Sequence, residues 1–185
     1  MKLFRIGVTG APGMGKTELA KAVAEKLRLP LVSVAVEEVL KARRIDLIQA
    51  SLNKSLAREL QYALFLAQID EEDRSERFVS DRTTIDCLAH FRLYDLNGEA
   101  GRFYKERCLS RDYSLIAYVP YYGTDNYLRE IDRHIFRIIN EELPDEAPVV
   151  VASGGLDQKL ASVLKAASFL KAGEKAGSAN GVAGP

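Results

Sequence analysis

Charge of either sign in excess is missing from this sequence. Its 185 residues include 26 basic and 26 acidic side chains, a formal net charge of zero. A dedicated duplex-binding surface carries a basic surplus, so nucleic acid is not an expected partner. Metal-ligating residues are scarce: two cysteines, Cys87 and Cys108, and two histidines, His90 and His134. They form no Cys-x-x-Cys pair and no His-Glu-x-x-His pattern, which argues against a structural zinc site. The cysteines are expected to be buried apolar fillers. Long apolar runs are absent too, since no stretch approaches the roughly 18–20 residues that cross a bilayer. The opening MKLFRIGVTGAPG lacks the apolar core and small-residue cleavage site of a secretory signal. No membrane partner and a cytoplasmic location are the resulting expectations. No internal repeat is visible. What is present is ordinary for a folded domain: 47% hydrophobic and 28% charged residues, in a length that suits one domain with one sizeable core.

Short apolar runs alternate with longer helical patterns. Strands are expected at Leu3–Thr9, Leu31–Val36, Phe78–Ser80, Leu115–Val119 and Pro148–Ala152. Between them, 3.6-residue periodicity predicts helices at Lys16–Leu27, Ser51–Asp70, Thr84–Leu96, Ala100–Arg111, Asn126–Leu143 and Leu156–Leu170. Leu52, Leu56, Leu60, Leu64 and Ala67 form the predicted buried stripe of the second helix. Leu128, Ile131, Ile135 and Ile138 form that of the fifth. Asn97-Gly98 is the expected break after Leu96. This alternation implies an α/β fold, a five-stranded parallel sheet covered by helices on both faces. The domain should span 1–170. The Gly- and Ala-rich tail at 171–185 has little to bury and is expected to be disordered.

The sharpest local signal is Gly10-Ala11-Pro12-Gly13-Met14-Gly15-Lys16-Thr17. It fits G-x-x-x-x-G-K-[ST], the phosphate-binding loop, between a strand and an amphipathic helix. Glycine lets the backbone turn its N–H groups inward around an anion. The helix that begins there aims its N-terminus at the same anion. Lys16 would reach the β- and γ-phosphates, and the Thr17 hydroxyl would ligate Mg²⁺. ATP and Mg²⁺ are therefore the expected cofactors, with Gly10 through Thr17 and Glu18 lining the nucleotide. Gly154, in the turn after the fifth strand, is placed near the adenine.

Competing phosphate-loop classes lack their marks. There is no N/T-K-x-D element for guanine, no Asp-Glu pair ending the third strand, and no complete LSGGQ-like loop. With GAPGMGKT stand three weaker segments in order: Glu37-Glu38 after the second strand, Phe78-Val-Ser-Asp-Arg-Thr-Thr-Ile-Asp86, and Val119-Pro-Tyr-Tyr-Gly-Thr-Asp-Asn-Tyr-Leu-Arg129. Over about residues 1–165 the chain resembles the nucleoside and nucleotide kinase branch of phosphate-loop proteins. The resemblance is to the AAA-like ATP-binding family that includes the nicotinamide-riboside kinase domain. It implies a three-layer α/β/α P-loop NTPase fold and ATP-dependent phosphoryl transfer to a small nucleoside-like acceptor.

The remaining candidates are weighed on their chemistry. Asp81 ends a buried strand and would serve Mg²⁺ or orient a hydroxyl, unless it only caps a helix. Arg82 would clamp a phosphate. Glu37 and Glu38 close the second strand, where a carboxylate could take the acceptor's proton, with Glu38 ahead. Asp86 would touch the acceptor or complete a capping box with Thr83, and His90 follows one turn later. Gln61, Phe65 and Gln68 would read and stack a base, or form a half-solvated face. Arg129 and Arg133 are lid arginines for the transferring phosphoryl group, with Arg137 as a solvated member of the stripe. Tyr118, Tyr121, Tyr122 and Tyr127 would shield a closed site or pack the loop. The expected partners are a nucleotide and a small-molecule acceptor, with a homodimer as a candidate assembly. Two other functions stay open: an ATP-binding switch without an acceptor, and a nucleotide kinase holding its acceptor's phosphate on Arg102, Lys105, Arg107 and Arg111.

Overall fold

The central strands are short runs whose side chains alternate between two covered faces. The structure, a computed structural model, describes residues 3–93, 99–144 and 148–179. The strands are β1 (Phe4–Gly10), β2 (Leu31–Ser33), β3 (Arg77–Asp81), β4 (Leu115–Val119) and β5 (Val149–Val151). All pair in parallel, in the order β2-β3-β1-β4-β5. Leu115, Ala117 and Val119 face a core shared with α1 (Lys16–Leu27) and α8 (Leu156–Ala179), through Leu19, Val23 and Val163. Ile116 and Tyr118 face the opposite core. There they meet α4 (Lys54–Asp73), α5 (Thr84–Arg92), α6 (Glu99–Leu109) and α7 (Asn126–Glu141) through Phe65, Ile85, Tyr104 and Ile131. This period-two division of apolar residues covers both faces and gives the three-layer α/β/α architecture. Cys87 and Cys108 are buried in this second core as free thiols, and burial pushes the Cys87 thiol up to about 12.

Two segments depart from expectation. The second strand stops at Ser33, three residues before Val36, which instead opens α2 (Val36–Arg43). β2 is an edge strand that finds partners only in β3, from Leu31 to Ser33. Beyond them the backbone satisfies itself by winding. The long helix expected over Ser51–Asp70 is two helices, α3 (Leu47–Leu52) and α4. Asn53 divides them and caps α4, its Oδ1 accepting from Ser55 N at 2.9 Å and Leu56 N at 3.2 Å. Leu52 is therefore 83% exposed rather than part of a buried stripe, while Leu60 and Leu64 are buried as expected. They join Ile45 and Ala50 in a small third cluster that roofs one side of the sheet edge.

Other boundaries move less. β5 is shorter by one residue at each end, and α8 continues past Leu170 to Ala179. The Asn97-Gly98 break and the end of the tail lie outside the described residues. No helix among the described residues is long and apolar enough to cross a membrane. The carboxyl ends of all five strands share one edge, where parallel α/β sheets bind ligands.

Candidate functional site

At that edge β1 runs directly into α1 through the phosphate loop. Gly13 and Gly15 take φ of 79° and 74°, which turns the loop inward as an L-residue rarely would. A Cβ on Gly13 would meet no atom within 4 Å, so space beside the loop is open there. Lys16, 8% exposed, folds back on the loop, its Nζ donating to the carbonyls of Gly10 (2.6 Å) and Ala11 (2.9 Å). Burial lowers its pKa, and the nearby Asp86 carboxylate works against that shift. The cation is thus partly desolvated and held by weak neutral acceptors, which a phosphate would outcompete. From the far side, Lys159 of α8 donates to the Met14 carbonyl at 2.8 Å and braces the loop. Glu18 lies in the first turn of α1, and Gly154 forms the turn after β5 with φ of 85°.

β3 delivers the second half of the site. Thr17 Oγ1 donates to Asp81 Oδ2 at 2.7 Å, which joins the two residues expected to serve the metal. The other oxygen, Asp81 Oδ1, is buried and unpartnered. A hydroxyl and a carboxylate with spare capacity are the hard oxygen donors that Mg²⁺ takes, so these residues fit the ion. No group of three or more His, Cys, Asp or Glu among the described residues could hold a metal alone. Phosphate and water oxygens would complete its shell.

After Asp81 the chain turns sharply, and Arg82 has φ of 91°, a strained value for any residue but glycine. The strain is supported from below. Arg82 N donates to the Val8 carbonyl at 3.1 Å. Gln68 Nε2 reaches the Arg82 carbonyl at 3.5 Å, and also Ser80 Oγ (2.7 Å) and Glu72 Oε1 (2.8 Å). Glu72 is fully buried and accepts from Tyr113 Oη at 2.7 Å and from the Arg111 guanidinium at 3.1 and 3.2 Å. Tyr113 Oη in turn accepts from Thr84 N at 3.2 Å. This network of buried polar groups underlies the whole Arg82–Thr84 turn.

Thr83 then caps α5. Asp86 completes the capping box, its Oδ2 accepting from Thr83 N (2.8 Å) and Thr83 Oγ1 (2.9 Å). Its other oxygen faces the phosphate loop, 3.3 Å from Gly10 N and 3.8 Å from Lys16 Nζ. The capping box expected of Asp86 is therefore present, with its second oxygen directed at the loop.

A cavity of about 250 Å³ begins at Pro12, Lys16, Arg82 and Asp86 and runs back between α3, α4 and α5. Gln61, Gln68, His90 and Tyr127 line it, among apolar residues of α3, α4 and the β2–α2 segment. Several expected site residues lie elsewhere. Glu37 and Glu38 occupy the first turn of α2 rather than a strand end. Neither lines this cavity, and Glu38 borders a separate cleft with Asp70, Glu71 and Arg74. Their displacement follows from the early end of β2. Phe65 is 2% exposed and packs on Tyr104 at 4.5 Å between ring centroids, away from the cavity lining. Arg129 is exposed and wraps its own loop, donating to Asn126 Oδ1 at 3.1 Å. Arg133 pairs with Glu130 at 2.8 Å. Of the four expected shielding tyrosines, Tyr127 alone lines the cavity, whereas Tyr118 is buried with its hydroxyl 2.9 Å from Asp132 Oδ1. Sequence reasoning missed Lys159 and the Glu72–Arg111–Tyr113 network, because nothing in spacing marks partners 39 to 145 positions apart.

Comparison with known proteins accords with this geometry. A family model described as "AAA domain" matches residues 5–156. No curated protein sequence matches the chain. Among solved structures, deoxyadenosine kinase from M. mycoides with dCMP and dCDP products superposes with a TM-score of 0.68 at 14% identity, covering 90% of this chain and 100% of that one. NadR protein in complex with NAD and AMP-PNP superposes with a TM-score of 0.63 at 17% identity, covering 90% of this chain. The chain spans half the length of that protein, 50% of it. Thymidylate kinase from Ehrlichia chaffeensis gives 0.55 at 13% identity, covering 89% and 98%. The fold is that of P-loop nucleoside and nucleotide kinases.

Proposed function

The chain belongs to the AAA-domain family, and from that premise we propose that it transfers the γ-phosphoryl group of ATP to a hydroxyl of a nucleoside-like small molecule. The observation that carries this reading is the cavity, which has Lys16, Arg82 and Asp86 beside the phosphate loop and a mostly apolar remaining lining. An acceptor lying there presents its hydroxyl to the phosphate loop. A switch ATPase does not require such a chamber. The basic residues considered for an acceptor phosphate have other engagements or positions: Lys105 pairs with Glu142 at 2.7 Å, Arg111 with Glu72 and Asp73, and no described residue of α6 lines the cavity. This favours a nucleoside over a nucleotide. Two of the structural neighbours were solved with AMP-PNP and with dATP, which supports an adenine nucleotide on the loop.

In this mechanism the loop N–H groups and Lys16 hold the β- and γ-phosphates, Lys16 exchanging the Gly10 and Ala11 carbonyls for phosphate oxygens. Thr17 and Asp81 would hold Mg²⁺, which neutralises phosphate charge when bound. Arg82, fixed by its strained turn, balances charge on the transferring group. The acceptor oxygen bonds to the γ-phosphorus as the bond to the β–γ bridging oxygen breaks, and ADP departs. The hydroxyl proton passes to a carboxylate, and Asp86 is the one on the cavity wall. Arg129, Arg133 and Tyr127 belong to the segment that would close over the nucleotide.

A coupled ADP-release assay over nucleosides and nucleoside monophosphates tests the reading. Stimulation by nucleosides supports it. Stimulation by monophosphates alone makes the protein a nucleotide kinase, and ADP release unaffected by any acceptor makes it a switch.

A further inference from the structure

Among the described residues, only a few uncharged polar groups lining the cavity are available to a ligand. Ser51 Oγ donates to the Ile48 carbonyl at 2.6 Å, and Gln68 is committed to Glu72 and Ser80. By contrast, the Gln61 side-chain amide and the His90 ring have no hydrogen-bond partner among the described residues, and His90 Nδ1 is enclosed. One comes from α4 and the other from α5. The apolar lining of the cavity includes Val34, Leu60 and Leu64. Burial holds the imidazole pKa down to about 4, so the ring is neutral near pH 7 and carries one donor and one acceptor. An amide supplies the same pair of functions. Unspent donors and acceptors are costly in an apolar chamber, and a ligand that matches them recovers that cost.

Charge sharpens the choice. Among the described residues, the ionised groups lining the cavity are Lys16, Arg82 and Asp86, two cations against one carboxylate. Asp86 is already engaged by Thr83, Gly10 and Lys16. A permanently cationic ring pushed into the depth would lose its hydration without gaining a counter-charge.

We propose that His90, together with Gln61, determines acceptor specificity, and that the chamber takes an uncharged heterocycle with hydrogen-bonding edges and rejects a cationic pyridinium nucleoside. This rests on the acceptor reading of the cavity given above. His90 touches the heterocycle and not the reacting atoms, so it governs which acceptor binds rather than how fast bound acceptor reacts.

The experiment measures equilibrium binding by calorimetry to the full chain saturated with AMP-PNP and Mg²⁺. The probes are adenosine, deoxyadenosine, cytidine, thymidine and the cationic nicotinamide riboside, each also assayed for phosphoryl transfer. At least one neutral nucleoside should bind, and nicotinamide riboside should bind at least tenfold more weakly. His90→Leu should weaken the neutral nucleoside by about five- to a hundredfold, the cost of a buried polar atom left unpaired, with AMP-PNP affinity unchanged. His90→Gln, which restores a donor and an acceptor, should recover most of the loss and controls for folding. Tighter binding of the cationic nucleoside, or equal nucleoside affinity in His90→Leu and the parent, overturns the inference even if transfer is observed. Selective nucleoside binding without any transfer would keep this inference and defeat the kinase reading. Failure of every nucleoside to bind overturns both.

Discussion

Glu72 offers the most direct test of how the site is held in shape. Its carboxylate has 0% exposure and gathers Gln68, Ser80, Tyr113 and both hydrogen-bonding nitrogens of Arg111. Glu72→Gln keeps the volume but removes the charge and substitutes an N–H₂ for one acceptor. That group would face donors already aimed at the position. Breaking a buried ion pair from one side costs about 3–5 kcal/mol, because the remaining charge is left uncompensated. Arg111 is held partly by Asp73 at 2.8 Å, and this second partner places the expected loss near the lower end, about 3 kcal/mol. For a domain of this size that is a fall in Tm of roughly 6–12 °C. Urea denaturation with an unchanged slope would assign the loss to the native state. The double variant Glu72→Gln/Arg111→Met should be less destabilised than the two single losses added together, since neither partner is then orphaned. A second readout follows from the network's position under Arg82. The folded Glu72→Gln protein should show reduced kcat at nearly unchanged nucleotide affinity. A stability loss under about 1 kcal/mol would refute the reasoning, because the network would then be no stronger than a surface pair.

Three further outcomes are expected. Lys16→Ala removes a contact worth roughly 1.5–3 kcal/mol to a charged ligand, so calorimetry should show weaker ATP binding and unchanged affinity would contradict the loop assignment. Hydrogen exchange at Tyr121–Asn126 should slow when AMP-PNP binds, because Arg129 now holds only its own loop and Asn126, and equal exchange in both states would mean the segment does not close. Glu142, pulled down to about 2 mainly by hydrogen bonds from Arg92, should contribute stability that is fully present above pH 4.5 and lost as pH falls toward 2; Glu142→Gln should flatten that part of a stability–pH curve, and an identical curve would place the acid sensitivity elsewhere.

Much of the fold was legible because its signals are local. α1 and β4 were bounded correctly by apolar pattern alone, since both are buried on defined faces and framed by turn residues. The failures lie where tertiary partners decide. Val34, Ala35 and Val36 have the composition of a strand, yet no neighbouring strand reaches them. The leucine periodicity through Leu52 and Leu56 continues across a real break, because Asn53 is read as a helix interior residue by period and as a cap by chemistry. There the cap prevailed, and with it α3 became a separate wall of the cavity.

The site divides in the same way, and the division makes a last prediction. The residues proposed to bind phosphate and metal stand in one contiguous motif plus the strand end at Asp81, and both are local signals in the sequence. The position of a candidate proton acceptor depends on where a loop ends, and there the structure differs from the pattern. Glu38 belongs to a cleft bordered by Asp70, Glu71 and Arg74, whereas Asp86 lines the cavity 3.8 Å from Lys16. A positioned carboxylate supplies a factor of about 10²–10⁴ to such a transfer. Asp86→Asn should therefore lower kcat by that order, and the amide oxygen should still accept the Thr83 hydrogen bonds that cap α5. Glu38→Gln should leave kcat within a few-fold of the parent. The reverse pattern, with Glu38→Gln slow and Asp86→Asn nearly normal, would mean that α2 swings its first turn into the cavity when both substrates are bound. The neutral acceptor would then meet its base only in a closed state.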